Sequence, residues 1–300
     1  MSEKEMISHQ LDACGLDLSF IIQEAFLGYK YRKYNNQLYT VDNSNIPEKL
    51  IKMYYALNPD EIVFDKMKSA FVSRYVLNES KLEGVNDNDA HGLEEIEGFK
   101  KMYEYIHSDE IEYKFDIYTL KDLHKILFSC SQYPEYAGNF RNGLAYLPGS
   151  RVELTDYTMI RPMLNELDKT VQYLRKYSKL IKDNGDVNML FDYLDRCVEL
   201  NVKLIKVHPF ADGNGRTIRG FTNKLLEDVG FPPIYVKASE HIEYDNALDL
   251  ANNEGDFDDI KNFYRYKICD SIIELDINDR VRKYNKEHKS MGKVKTKVME

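Results

Sequence analysis

Apolar residues recur at helical spacing through most of the chain, and this periodicity limits the fold more than any other feature. The pattern begins near residue 60 and runs to about residue 275, with breaks at clusters of glycine and proline. It predicts helices over about 187–206, 242–252 and 256–275, among others. The sequence therefore predicts a mostly α fold, a helical bundle.

Three segments are expected along the chain. Residues 1–60 are interpreted as a small N-terminal α/β unit, because alternating stretches on either side of Asn35-Asn36 are typical of a hairpin. Residues 61–275 form the helical core. Residues 276–300 form a basic tail with few apolar side chains, which predicts a frayed helix or a disordered segment.

Composition excludes several classes of protein. The chain of 300 residues is 43% hydrophobic and 30% charged, with a formal net charge of −9, which argues against nonspecific nucleic-acid binding as its main activity. Its four cysteines are scattered, so a zinc ribbon is excluded and a disulfide framework has little support. The N-terminus does not resemble a signal peptide, and no apolar run reaches the roughly 18 residues of a membrane span. We expect a cytoplasmic protein without membrane contact.

Residues 208–219, HPFADGNGRTIR, interrupt the helical pattern between two amphipathic helices. The segment is therefore expected to be a tight loop that leads into a helix N-terminus, where free N–H groups and the helix dipole favour phosphate. Gly213 and Gly215 would let the backbone approach a ligand closely. Short glycine loops are common, so the glycines alone do not establish a binding site.

Charged residues of the same segment supply complementary chemistry. Arg216 and Arg219 lie three apart and can bind phosphate oxygens in a bidentate manner. Asp212 offers a hard oxygen ligand suited to Mg²⁺. His208 has an ordinary pKa near neutrality, as a general base requires. Each residue alone would more often be structural or solvent-facing, whereas the ordered set indicates a catalytic phosphate site.

The string at residues 208–219 resembles the Fic family signature, HPFxDGNGRxxR, at every defining position. The resemblance extends from about residue 65 to about residue 265. It implies a Fic-type helical bundle with a small β-hairpin flap. It also implies an enzyme that uses ATP and Mg²⁺ to transfer AMP onto a Ser, Thr or Tyr hydroxyl of a protein target, or of itself.

The resemblance assigns roles to individual residues. His208 would take the proton from the attacking hydroxyl, Asp212 would hold Mg²⁺ on the α- and β-phosphates, and Phe210 would anchor the loop in the core. Arg219 would hold the γ-phosphate. The phosphate-binding positions of the motif are Gly213, Asn214, Gly215, Arg216 and Arg219.

Two further segments resemble parts of the family fold. Residues 138–148 resemble the hairpin flap that docks the target, whose docking residues here are Leu144, Ala145, Tyr146 and Leu147. Residues 243–256 resemble a late helix that packs on the nucleotide base, which gives Leu248 and Asn252 as adenine contacts. Asp245 stands where relatives often carry Tyr, and Asn253 is interpreted as a one-residue insertion.

Residues 79–84, ESKLEG, close a helix expected over about 64–84 and resemble the inhibitory motif Ser/Thr-x-x-x-Glu-Gly/Asn of the family. Glu83 is then expected to pair with Arg219 and block the γ-phosphate position. Glu79 occupies the Ser/Thr position, and Ser80, assigned with Glu83 to the inhibitory segment, lies one residue later. Glu79 and Glu83 share a helix face and repel each other unless a cation lies between them. In the alternative interpretation, Glu83-Gly84 merely ends a surface helix.

Other functions stay open at this point. The same site is compatible with transfer of another nucleotide or of phosphocholine, and with removal of AMP from a modified target. A Doc-like kinase is disfavoured, because that variant replaces Gly-Asn-Gly-Arg with Ala-Asn-Lys-Arg. Outside enzymes, the chain would be a catalytically idle interaction module, and DNA binding through the basic tail is weaker still. A homodimer is compatible with the family resemblance.

Overall fold

The computed structural model describes residues 64–274 except Asp87, Pro148, Gly185 and Asp186. The predicted N-terminal unit (1–60) and basic tail (276–300) lie outside the described residues. Within these, the chain forms nine α-helices: α1 Phe64–Leu82, α2 Ala90–Ile106, α3 Asp109–Lys114, α4 Thr119–Leu127, α5 Ile160–Asn184, α6 Val187–Val207, α7 Asn214–Glu227, α8 His241–Asn253 and α9 Asp258–Glu274. The mostly α-helical prediction is confirmed.

Helix α7 lies at the centre of the bundle and packs against α2, α4 and α6. Almost every residue of α7 is buried. Phe221 stacks on Phe115 with ring centroids 4.6 Å apart, and Leu225 is also fully buried. Burial of each such side chain contributes about 1.5–3 kcal/mol, so the core holds α7 rigidly in place. The N-terminus of α7 is thus fixed by the surrounding helices.

The end of α1 is defined by glycine. Gly84 has a φ of 75° in the left-handed region, and its N–H donates to the Lys81 carbonyl at 3.1 Å. The Val85 N–H donates to the Ser80 carbonyl at 2.9 Å. This pair of bonds is the Schellman arrangement that ends many helices. It makes Glu83 the last residue before the chain turns away.

The hairpin flap expected at residues 138–148 is not confirmed. Among the described residues no strand ladder forms, and one isolated antiparallel bridge joins Phe140 to Phe210. The Arg141 N–H donates to the Pro209 carbonyl at 2.9 Å. The backbone at the start of this segment therefore bonds to the loop before α7 instead of to a second strand of its own.

Helix α8 and the 3₁₀ turn Ala238–Glu240 before it pack beside α1 and α6. Tyr244, Ala247, Leu248 and Ala251 face the core at helical spacing, and the other residues of α8 are more exposed. One face of α8 therefore lies opposite the N-terminal part of α7. None of the helices in the described part of the chain is both long and apolar enough to cross a membrane.

Candidate active site

A cavity of about 290 Å³ opens beside the N-terminus of α7. Typical small-molecule sites measure about 300–1,000 Å³. Residues from the end of α1, the flap segment, the loop before α7 and α8 line it, including Glu83, Leu147, Ser150, His208, Gly215, Arg219, Tyr244, Asp245, Leu248, Asp249 and Asn252. The structure thus brings together the expected base, the second arginine, the expected inhibitory glutamate and both expected adenine contacts.

The loop before α7 is shaped by Gly213 and Asn214. Gly213 is the N-cap residue of α7, has a φ of 69° and provides no side-chain cap. The Asn214 side chain accepts from the Phe210 N–H at 2.9 Å and donates to the Phe210 carbonyl at 2.8 Å. Because no side chain caps the first turn, its N–H groups stay available to an anion. Asn214 uses its amide to close the loop, so only its backbone is available to a phosphate.

His208 is held in an unusual backbone conformation at the edge of the cavity. Its φ of 46° lies in the left-handed region, which costs a non-glycine residue about 1–2 kcal/mol. Burial lowers the pKa of His208 to about 4, and the nearby Arg141 acts in the same direction. The Ile205 carbonyl, Glu83 and Asp212 oppose the shift. The imidazole is therefore neutral at pH 7, the form that accepts a proton.

Arg141 ties the flap segment to the loop that carries His208, and the sequence analysis did not identify it. Its Nε donates to the His208 carbonyl at 2.7 Å and its Nη1 donates to the Gly143 carbonyl at 2.7 Å. Its Nη2 donates to the Thr155 carbonyl. A buried guanidinium with several carbonyl acceptors fixes all three segments relative to one another. Arg141 thereby holds the strained His208 backbone in place.

His124 of α4 is a second residue that the sequence analysis missed. It is fully buried, with its ring stacked on Phe210 at a centroid distance of 3.9 Å. Its Nδ1 accepts from the Gly138 N–H at 2.9 Å, so Nε2 carries the proton and donates to the Asp212 carbonyl at 3.0 Å. Burial lowers its pKa to about 4, in accord with the neutral tautomer that these bonds require. His124 therefore links the flap to the end of the loop that carries Asp212.

Asp212 is the expected Mg²⁺ ligand and lies on the exposed side of the loop. One of its carboxylate oxygens accepts from the Gly213 N–H at 2.6 Å. Within the described residues no group of three or more His, Cys, Asp or Glu side chains is arranged to hold a metal ion. A single carboxylate beside a helix N-terminus suits an ion that takes most of its oxygen ligands from nucleotide phosphates and water. The residues present fit Mg²⁺ in that role.

Arg219 is paired with Glu83, as the sequence predicted. Nη2 of Arg219 donates to Oε1 of Glu83 at 2.6 Å. Burial by itself would raise the pKa of Glu83, but Arg219 and Arg216 outweigh it and the net shift is downward. A β-carbon on Gly215 would lie 2.1 Å from Oε1 of Glu83 and 2.8 Å from Nη1 of Arg219. Only glycine at this position lets the ion pair approach the helix backbone so closely.

Glu79 also contacts Arg219, which resolves the repulsion expected between the two glutamates. Oε2 of Glu79 accepts from Nε of Arg219 at 2.6 Å, so the cation lies between Glu79 and Glu83. Ser80 is buried, and its hydroxyl has no hydrogen-bond partner among the described residues. The hydrogen bond to Arg219 from this part of α1 is thus made by Glu79, and the Ser80 hydroxyl makes none to the arginine.

Arg216 does not line the cavity in this structure. It is 2% exposed and its Nη1 donates to Oε2 of Glu95 on α2 at 2.8 Å. Its Nε has no partner among the described residues. The structure therefore places the first arginine of the motif in a buried ion pair, and Glu95 is a further residue that sequence reasoning did not identify.

The flap residues alternate in exposure. Leu144 and Tyr146 are 85% and 82% exposed, Ala145 is half-buried, and Leu147 lines the cavity. This alternation is typical of an extended segment with one side facing solvent. Asp249 of α8 accepts from the Ser150 hydroxyl at 2.5 Å and so fastens the far end of the flap.

The expected adenine contacts lie on α8 at the cavity wall. Leu248 is 6% exposed, and the Asn252 side-chain amide donates to the Leu248 carbonyl at 3.0 Å. Asp245 also lines the cavity and pairs with His241 at 2.9 Å. Burial raises the pKa of Asp245, and His241 opposes this shift. The α8 wall of the cavity therefore combines the apolar side chain of Leu248 with the polar side chains of Asp245 and Asn252.

The arrangement defines a helical domain with an anion cradle at one helix N-terminus and a neutral histidine beside it. In a comparison with known proteins, residues 114–226 match the model of the Fic/DOC family. This match agrees with the resemblance of the motif at 208–219 to the family signature. Glu79 and Glu83 lie outside the matched segment.

Curated relatives carry the same family name. The chain is 29% identical over 174 residues to the protein adenylyltransferase Fic of Aedes aegypti, covering 57% of this chain and 31% of that protein. It is 32% identical over 119 residues to the protein adenylyltransferase fic-1 of Caenorhabditis briggsae, covering 39% and 21%. The chain thus spans less than a third of the length of these relatives.

Solved structures show the same fold. A structure of Fic-1 (residues 134–508) from C. elegans superposes with a TM-score of 0.59 at 18% identity, covering 83% of this chain and 74% of that one. A Fic domain containing signaling protein from Bacteroides thetaiotaomicron superposes with a TM-score of 0.61 at 15% identity, covering 79% and 98%. At these identities the likeness concerns the fold.

Proposed function

We propose that this chain is a protein adenylyltransferase that moves AMP from ATP to a Ser, Thr or Tyr hydroxyl of a protein target or of itself. The observation that carries the proposal is the meeting of His208, Arg219 and the uncapped first turn of α7 at one cavity. The relatives named protein adenylyltransferase support this choice among phosphate chemistries.

The reaction follows from the positions of the side chains. The target hydroxyl oxygen forms a bond to the α-phosphorus of ATP, and the bond from that phosphorus to the bridging oxygen of the β-phosphate breaks. The hydroxyl proton passes to the neutral imidazole of His208, and pyrophosphate leaves. The first turn of α7, which includes Gly215, binds phosphate oxygens through N–H groups. Arg219 holds the terminal phosphate through its guanidinium edge.

Asp212 would hold Mg²⁺, which when bound neutralises charge on the α- and β-phosphates. His124 keeps this residue in position through the Asp212 carbonyl. Arg216, held by Glu95, adds a buried positive charge behind the cradle. These residues orient the phosphates without taking part in proton transfer.

Glu83 makes this conformation an inhibited one. A carboxylate and a phosphate offer the same kind of oxygen to the same guanidinium, so the two compete for Arg219. With 26% of its side chain exposed, Glu83 stands in the cavity where the terminal phosphate would bind. ATP bound in this state cannot place its α-phosphorus for attack.

The flap provides the backbone edge at which the protein target binds. Residues 144–147 are extended, with Leu144 and Tyr146 facing solvent and Leu147 facing the cavity. An extended target segment can add beside this backbone as a strand, which brings its hydroxyl towards His208. Such pairing depends mainly on backbone groups, so it accepts varied target sequences.

The proposal is tested by intact-mass spectrometry of the purified chain incubated with Mg²⁺ and each of ATP, UTP, GTP and CDP-choline. The variants are wild type, His208→Ala and Glu83→Gly. Glu254→Gly is the matched control, because Glu254 and Gly255 directly follow α8 as Glu83 and Gly84 directly follow α1. Lysate proteins serve as acceptors in a parallel reaction.

We expect an AMP-sized addition that is strongest in Glu83→Gly, weak in wild type and Glu254→Gly, and absent from His208→Ala. An addition from another donor would keep the phosphate chemistry but replace AMP as the transferred group. No addition to any acceptor by folded Glu83→Gly would refute the proposal and favour an idle interaction module.

A further inference from the structure

Arg219 is bound by two carboxylates whose surroundings differ sharply. Glu79 contacts Nε and Glu83 contacts Nη2, each at 2.6 Å. The Arg219 side chain is 4% exposed, and its guanidinium lies 5.8 Å from the ring centroid of Tyr244. The two glutamates raise the pKa of Arg219 further, against the effect of burial. The guanidinium therefore stays charged and has little room to move.

Glu79 is fully buried and both of its oxygens are used. Oε2 accepts from Arg219, and Oε1 accepts from the Val236 N–H at 2.9 Å. Because both partners are donors, the geometry requires the ionised carboxylate. Burial raises the pKa of Glu79, and Arg219 and the Val236 N–H oppose that shift. Glu79 thus ties α1 to the chain after α7 and to the arginine at once.

Glu83 is bound much less firmly. It follows the last residue of α1 and precedes the turn at Gly84, and 26% of its side chain is exposed. It makes one hydrogen bond to Arg219, whereas Glu79 makes bonds on both oxygens. A rotation of its side chain alone would open the Nη2 edge of Arg219.

We propose that Glu79 is a positioning residue for phosphate binding. It holds the Arg219 guanidinium by Nε, so that the Nη edge faces the cavity whether Glu83 is present or displaced. This inference rests on the proposed function, because it takes the terminal phosphate as the group that displaces Glu83. It adds a role for Glu79, at the position where the family motif has Ser or Thr.

Substitutions of Glu79 distinguish a role in orienting Arg219 from a role as a negative charge alone. A glutamine can accept one of the two converging hydrogen bonds, but its amide NH₂ then meets the other donor. Glu79→Gln would therefore release Arg219 from its orientation. Glu79→Asp keeps the charge but shortens the side chain, so it disturbs the same geometry. If Glu79 acted only as a negative charge near the nucleotide, Glu79→Gln would strengthen ATP binding instead.

The experiment compares ATP and ADP binding by titration calorimetry with Mg²⁺, all in the Glu83→Gly background on the full chain. ADP lacks the terminal phosphate and reports on the rest of the site. Glu240→Gln is the matched control, since Glu240 is also buried and also accepts from a cation, Lys267, and a backbone N–H, that of Lys237. Intact-mass measurement of AMP transfer follows on the same samples.

We expect Glu83→Gly to prefer ATP over ADP, and the added Glu79→Gln or Glu79→Asp to reduce that preference by about 10-fold or more, as loss of one charged hydrogen bond would. ADP affinity should stay within about twofold, and Glu240→Gln should leave the preference unchanged. An undiminished or increased ATP preference in Glu79→Gln, with AMP transfer still detected, overturns the inference and leaves the proposed function intact. Absence of ATP binding in Glu83→Gly overturns both.

Discussion

Replacement of Gly213 by alanine tests whether the loop before α7 is held by its backbone conformation and by close packing. Gly213 has a φ of 69°, and a β-carbon there would lie 2.5 Å from Cε2 of Phe128 and 3.2 Å from Cδ2 of Leu127. Phe128 is 2% exposed and stacks on His124 with centroids 4.5 Å apart, so its ring cannot move aside freely. The substitution therefore meets both a conformational and a steric penalty.

The two penalties can be separated with Gly255, which ends α8. Gly255 has a φ of 73° and nothing within 4 Å of a built β-carbon. Alanine at Gly255 should cost only the left-handed conformation, about 1–2 kcal/mol. Alanine at Gly213 should cost that amount plus about 1–3 kcal/mol for forced packing, or about 2–5 kcal/mol in total.

Urea unfolding of wild type, Gly213→Ala and Gly255→Ala without nucleotide or Mg²⁺ measures the free energies of unfolding. We expect Gly213→Ala to lose at least about 1 kcal/mol more than Gly255→Ala. Equal losses would refute the claim that Phe128 and Leu127 enclose the loop. The same comparison extends to nucleotide binding, which Gly213→Ala should weaken because the loop must shift.

Three further predictions concern residues around the site. Burial alone would lower the pKa of His107, but Glu227 at 2.8 Å outweighs burial and raises the pKa. The ion pair with Glu227 therefore stabilises the fold fully below the unfolded-state pKa of the histidine, and this stabilisation is lost as pH rises through the folded-state pKa. Urea unfolding should show that His107→Asn lowers the free energy of unfolding more at pH 6 than at pH 9. Arg141→Lys should lower the free energy of unfolding by about 2–4 kcal/mol, since an ammonium cannot reach all of the carbonyls, and a loss within experimental error would contradict its anchoring role. Asp249→Ala should accelerate amide hydrogen exchange at residues 150–152, and unchanged rates would show that the Ser150 bond does not hold the flap.

Much of the fold could be predicted because helix formation leaves a local pattern. The predicted helices over about 187–206 and 242–252 match α6 Val187–Val207 and α8 His241–Asn253 within a residue or so. The expected stop at Gly84 was also found, since a left-handed C-terminal glycine is a local requirement. The flap hairpin was not confirmed, because strand pairing depends on partners distant in sequence; here Phe140 pairs with Phe210.

The residues of the candidate site also fall into those that could be predicted from the sequence and those that could not. His208, Gly213, Gly215 and Arg219 could be identified because they lie in one short ordered string. His124, Arg141 and Glu95 could not, because each acts through contacts distant in the sequence. His124, for example, bonds Asp212 across 88 positions and Glu95 pairs with Arg216 across 121. A buried histidine or arginine in an amphipathic helix or an irregular segment has no local pattern that distinguishes it from a structural residue.

The sequence alone thus showed the helical periodicity and the loop with its glycines, and it predicted which residues would bind phosphate or move a proton, since these features depend on neighbours along the chain. Which charged side chains form ion pairs, in contrast, depends on the tertiary fold. Glu79 looked like a source of repulsion with Glu83, but a helix 140 positions away places Arg219 between them. Electrostatic energy depends on distance in space and on burial, and the folded core sets both.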